Sequence, residues 1–194
     1  MARERDFDED EVLAAATEAF TRHGYSATSL SMLLDATGLG KQSLYNAFGD
    51  KRSLYLKAVD AAVARFAKVA DAMAAARTGR VALETFFHHL LEDCASEDDA
   101  VRFCIVSGGL LEGVDDPAVR ATLLSRFGAT RELLREAVER AQRDGSIACV
   151  APSAEVADAL MGVMGGLRIA VRAGLPPPRL RAMAALQLSF LDSP

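Results

Sequence analysis

Residues 38–51 read GLGKQSLYNAFGDK, placing glycines, two lysines, serine, tyrosine and asparagine within fourteen positions. Two phosphate chemistries use such residues. One is the loop that cradles a nucleotide phosphate, written GxxxxGK followed by Ser or Thr. Here Gln42 follows Lys41 and Asp35 stands where the first glycine belongs, so that spacing fails. No run resembling a buried strand precedes it. The other is a short helix laid on a duplex. At about 100° per residue from Lys41, Leu44, Ala47 and Phe48 cluster on one side, while Gln42 and Asn46 point away from them. Lys41 and Tyr45 flank the two amides on one side, and Ser43 lies on the other. Gln and Asn bond bidentately to adenine, and Lys and Tyr reach phosphates or a guanine. Lys51, at the start of the following helix, adds a phosphate contact beside unpaired backbone N–H groups.

The elements that must hold this helix are legible around it. Asp8 and Glu11 form a capping box, with Phe7 and Val12 as its hydrophobic staple. Leu13, Ala16 and Phe20 then share one face, and Gly24 ends the first helix. Thr28 is the expected N-cap of a short second helix carrying Leu30, Leu33 and Leu34, ended by Gly38. The third helix starts near Gly40 or Lys41 and stops at Gly49. Asp50 caps a long fourth helix from Lys51 to about Arg77. Two short helices separated by a tight turn form a helix-turn-helix layout. Further helices are expected near 80–95, 101–113, 117–143, 153–173 and 177–191. No segment alternates with period two, so the chain reads as all-α.

The 194 residues are 51% hydrophobic, enough for a sizeable core, which argues against disorder. The net charge of −5 does not by itself point to nucleic acid, but 38–57 carries four basic residues against Asp50, a local +3. Cys94, Cys104 and Cys149 have no metal or CxxC spacing, and an odd count fits a reducing cytoplasm. The charged start MARERDFDEDE has no apolar signal core. The run Ala159–Leu167 is cut by Arg168 before it could span a membrane. No metal or cofactor is implied.

Residues 8–57 resemble the DNA-binding domain of the tetracycline-repressor (TetR/AcrR) family. The resemblance rests on VLAAATEAFTRHGYSATSL and GLGKQSLYNAFGDKRSLY. It implies a DNA-binding transcriptional regulator, a ligand-released repressor that grips a pseudo-palindromic operator as a homodimer. It further implies that Thr28, Tyr45 and Lys51 hold phosphates while Lys41, Gln42, Ser43 and Asn46 face the groove. Two positions depart from the family pattern. Gly40 stands where a serine usually caps the third helix, and Ala47 where a polar residue usually precedes the closing Phe. On this reading 1–55 form the helix-turn-helix unit and 56–194 a helical unit for ligand binding and dimerisation, with the boundary inside the long fourth helix.

The resemblance also implies a dimer bundle of the last two long helices. Gly162, Gly165 and Gly166 lie in an otherwise apolar helix, where each costs about 1 kcal/mol against alanine unless close approach repays it. Met183, Leu186, Leu188 and Phe190 would be their counterparts, although ordinary core packing explains both sets. An unknown small-molecule effector would be lined by Phe66, Met73, Phe87, Leu110, Met161 and Met164, although a Met and aromatic stripe is more often plain core. Gly108–Gly109 either opens that pocket or marks a tight helix crossing.

Other residues read as bland. His88 and His89 are adjacent and point about 100° apart, His23 suits a helix C-terminus, and Cys104 reads as a small buried hydrophobe. Arg168 and Arg172 read as snorkelling, with an anionic ligand as the alternative. The rival function is a helical enzyme or small-molecule carrier with a vestigial helix-turn-helix. It finds no HExxH, GxSxG or strand-linked GxGxxG. An activator fits the same residues as a repressor.

Overall fold

Asp8 starts the first helix as its spacing suggests, accepting hydrogen bonds from the backbone N–H groups of Asp10 and Glu11. Phe7 packs against the apolar cluster in which Val12 is buried. The computed structural model of the chain describes residues 7–97 and 103–193. The charged run before Phe7 and the expected helix start at 101 lie outside these residues. Within them every regular element is helical: α1 (Glu9–His23), α2 (Leu30–Thr37), α3 (Lys41–Phe48), α4 (Lys51–Ala75), α5 (Gly79–Ala95), α6 (Ile105–Glu112), α7 (Pro117–Arg143), α8 (Ser153–Arg172) and α9 (Pro177–Leu188), followed by a 3-10 turn at Ser189–Asp192.

The apolar core divides within α4. Leu54, Tyr55, Ala58 and Val59 pack with α1, α2 and α3, whereas Val69 and Met73 pack with α5, α7, α8 and α9. The first cluster is not built from the N-terminal helices alone. Ile105 from α6, Val114 from the loop that follows it, and Val119 and Leu123 from α7 are buried in it. Burying such side chains stabilises by roughly 1.5–3 kcal/mol each, so the small N-terminal unit leans on the larger one.

Gly109 settles one question about α6. A Cβ there would lie 2.5 Å from Tyr55 Oη and 2.7 Å from Leu123 Cδ1, so α6 crosses α4 and α7 tightly. Gly109 therefore permits a close crossing rather than opening a pocket. Cys104 departs from its reading as a buried hydrophobe: it is half-buried at the N-cap of α6.

No described helix is long and apolar enough to cross a membrane, and no described group of three His, Cys, Asp or Glu residues could hold a metal. His88 and His89 both face Glu92, at 3.1 and 3.4 Å.

Candidate nucleic-acid interface

Leu44 and Phe48 are buried, which fixes the rotation of α3 about its own axis. Lys41, Gln42, Ser43 and Asn46 are then exposed together on the opposite side, and Tyr45 is half-buried at its margin. Lys41 Nζ lies 5.9 Å from the centre of the Tyr45 ring, so cation and phenol share one edge. Gly38, at φ 68°, ends α2 in the left-handed region and lets the chain turn into α3. Gly40 gives α3 no side-chain cap, so its first N–H groups remain open to an anion. At the other end, Lys57 Nζ donates to the Ala47 carbonyl at 3.4 Å and sits over the Phe48 ring. That cation complements the negative end of the helix.

Two expected phosphate contacts change. The N-cap of α2 is Ser29, whose hydroxyl accepts from the Met32 N–H at 3.2 Å. Thr28 is wholly buried and donates its hydroxyl to the Gly24 carbonyl at 2.5 Å, so it braces the turn from inside and does not face a phosphate. The two neighbouring hydroxyls give equal capping signals, and the inward face of the turn decides between them.

Lys51 is also engaged. Its Nζ donates to the Ser26 carbonyl at 3.3 Å and lies 4.8 Å from the centre of the Tyr25 ring. Burial holds this ammonium below its ordinary pKa, and the Glu112 carboxylate pulls in the opposite direction. Beneath it, Phe20, Tyr25 and Tyr55 form an aromatic cluster, with Tyr25 and Tyr55 centres 4.8 Å apart. Burial raises the pKa of both tyrosines, so both remain neutral phenols near neutrality.

Sequence reasoning missed the contacts that join this corner to the rest of the chain. Glu112 accepts from the Tyr25 and Ser26 N–H groups at 2.7 and 2.5 Å. Arg172 donates to the Thr21 carbonyl at 3.1 Å and stacks over Phe103. Arg52 pairs with Asp116 at 3.1 Å. Arg168 pairs with Asp93 at 3.4 Å, so neither Arg168 nor Arg172 simply snorkels to solvent. No local signal could have found contacts between residues this far apart, up to 151 positions for Arg172 and Thr21.

Residues 12–58, the segment that carries this geometry, match the family described as bacterial regulatory proteins, tetR family. The likeness is not confined to that segment. The chain is 28% identical over 188 residues to the HTH-type transcriptional repressor ComR of Escherichia coli (strain K12), covering 96% of this chain and 90% of that protein. Residues 12–58 are a TetR-family DNA-binding segment, and along nearly its whole length the chain is similar to HTH-type regulators. Its first part is 48% identical over 59 residues to YezE of Bacillus subtilis (strain 168), an uncharacterized HTH-type transcriptional regulator, matching 30% of each chain. A cysteine mutant of the TetR family regulator CifR, complexed with 26bp double-strand operator DNA, superposes at TM-score 0.87 with 27% identity, over 98% of this chain and all of that one.

The six residues expected to line an effector pocket are split between the two cores. Met73, Phe87 and Met161 are buried in the larger cluster and Phe66 and Met164 pack against it, whereas Leu110 packs against the other. Met73 also edges a surface groove of about 370 Å³ bounded by Ala74, Leu133, Glu136 and Arg140.

The residues expected at a dimer face divide as well. Gly162 and Gly165 would meet nothing within 4 Å if given a Cβ, and Leu186 is 77% exposed. A Cβ on Gly166 would lie 3.5 Å from Met183 Cε, while Met183, Leu188 and Phe190 pack on the chain's own core. Ile169, which is 57% exposed, joins the outward face.

Proposed function

We propose that this protein is a transcriptional repressor that binds a pseudo-palindromic operator as a homodimer and is released by a small-molecule effector held in the larger helical unit. The observation that carries the DNA reading is the exposed set Lys41, Gln42, Ser43 and Asn46 on a helix pinned by Leu44 and Phe48. Supporting it are two relatives named as transcriptional repressors and the structural neighbours solved with operator DNA. The rival enzyme or carrier reading draws no support from relatives that are named as regulators. The outward apolar face of Gly162, Gly165, Ile169 and Leu186 is the proposed dimer surface, which would set two copies of α3 about one helical turn apart, roughly 34–36 Å. Phe66, Met73, Phe87, Met161 and Met164 remain the proposed effector lining.

Selection of duplexes from a randomised pool by the purified full chain tests this reading. An inverted repeat should emerge, with affinity falling steeply as salt rises. Gln42→Ala or Asn46→Ala should alter preference at particular base pairs, by roughly tenfold each from about 1–3 kcal/mol per bidentate contact. Lys41→Ala should weaken all sequences alike. Lys51 gives one of its three N–H donors to the Ser26 carbonyl and packs on the Tyr25 ring, whereas Lys41 is exposed, so Lys51→Ala should cost less than Lys41→Ala. Recovery of no common sequence would end the operator reading.

A further inference from the structure

Glu112 is an acidic residue at the C-terminus of α6, where the helix dipole makes a carboxylate unfavourable. Its position is explained by what it touches in the N-terminal unit. One carboxylate oxygen accepts from the Tyr25 N–H at 2.7 Å and the other from the Ser26 N–H at 2.5 Å. The seat is shaped for it. A Cβ on Gly24 would stand 2.6 Å from Glu112 Oε2, and Gly24 adopts φ 84°, a conformation few other residues accept. Lys51 closes the seat from the far side: its ammonium holds the Ser26 carbonyl, packs on the Tyr25 ring, and feels the Glu112 charge. Just upstream, Arg172 from α8 donates to the Thr21 carbonyl in the last turn of α1. The corner between α1 and α2 is thus held by an anion on its amides and a cation on its carbonyls, both from the larger unit.

The chain leaves this corner through Thr28, wholly buried, and Ser29, the cap of α2, and α2 carries the turn into α3. The pitch of the reading helix is therefore set where Glu112 sits. We infer that Glu112 is a positioning residue for DNA binding, whose carboxylate on the Tyr25 and Ser26 amides fixes the orientation in which α3 is presented. This inference rests on the DNA-binding reading above.

The sign of the effect distinguishes positioning from bulk charge. Removing a negative charge from a DNA-binding unit should by Coulomb's law tighten binding to any duplex. Loss of the clasp should instead weaken the selected duplex alone. In Glu112→Gln, the amide group can accept from one N–H but turns a donor toward the other. In Glu112→Asp, charge is kept but the side chain is one methylene short.

The experiment measures affinity of the full chain for the selected duplex and for a scrambled duplex, with amide hydrogen exchange at Tyr25 and Ser26. Both variants should lower the ratio of specific to non-specific affinity by about tenfold, within the range of typical site coupling. The two amides should exchange at least about tenfold faster, as loss of a charged hydrogen bond implies. Exchange within α4 should stay unchanged, showing an intact fold. A ratio that is unchanged or higher in Glu112→Gln would overturn this inference alone. Wild-type protein that prefers no duplex would overturn the DNA-binding reading, and this inference with it.

Discussion

Gly162→Arg should leave each protomer folded and remove operator binding. Gly162 is exposed on α8 and a Cβ there meets nothing within 4 Å, so the side chain has room in the isolated chain. Arginine is also the better helix former, by up to about 1 kcal/mol. The effect falls on the proposed dimer face, where Ile169 and Leu186 are 57% and 77% exposed. A twofold interface presents the same patch from both partners, so one substitution buries two unpaired like charges. The effective penalty is several kcal/mol per ion, more than such a face can absorb. A lone recognition helix then falls back toward non-specific binding, at least about a hundredfold weaker than the dimer on its operator. Sedimentation should report a monomer with an unchanged helical circular dichroism spectrum, and anisotropy titration should show the operator preference gone. A variant that remains dimeric would place the interface elsewhere.

Gly79→Ala should unfold the larger unit at a distinctly lower temperature. Gly79 is the first residue of α5, after the Thr78 cap, and its N–H donates to Asp144 Oδ2 at 2.8 Å. An added Cβ would fall 2.1 Å from Ala141 N, 2.4 Å from Ala141 Cα and 2.6 Å from the Ala137 carbonyl oxygen. Those atoms are the backbone of α7, so no side chain can swing aside and the two helices must separate. Arg140, whose guanidinium donates to the carbonyls of Met73, Ala76 and Thr78, would be dislodged in the same movement. Overpacking of this kind costs about 3 kcal/mol, or roughly 6–12 °C in Tm for a chain of this size. Gly128→Ala, on the exposed side of α7, is the control: with nothing within 4 Å of the added methyl it should be neutral or slightly stabilising. Matched thermal melts check both, and equal melting temperatures would mean that α5 and α7 are not as close at Gly79 as described.

The sequence showed the local architecture more clearly than the contacts between units. Asp8, Asp50, Gly24, Gly38 and Gly49 mark helix ends because capping and left-handed turns depend on the residues at hand. Pro117 and Arg143 bound α7 where expected, while α9 ends at Leu188 and tightens into a 3-10 turn where a longer helix was expected. The exposed face of α3 followed from period alone, since eight residues with Leu44 and Phe48 inside leave one orientation. The choice of Ser29 over Thr28 did not follow, because adjacent hydroxyls compete and the fold of the turn decides. Nor did the seat of Glu112, the close approach at Gly79, or the assignment of Leu110 to the N-terminal core. Each depends on a partner far along the chain, and no local pattern encodes that.

On the proposed reading α3 lies in the major groove, and it does so twice per duplex. Methylation protection of guanine N7, a major-groove atom, on the selected duplex addresses it most directly. Two protected clusters about one helical turn apart are expected, related by the inverted repeat, with the pattern altered in Gln42→Ala. A single cluster, or no major-groove protection on a duplex the protein demonstrably binds, would contradict it.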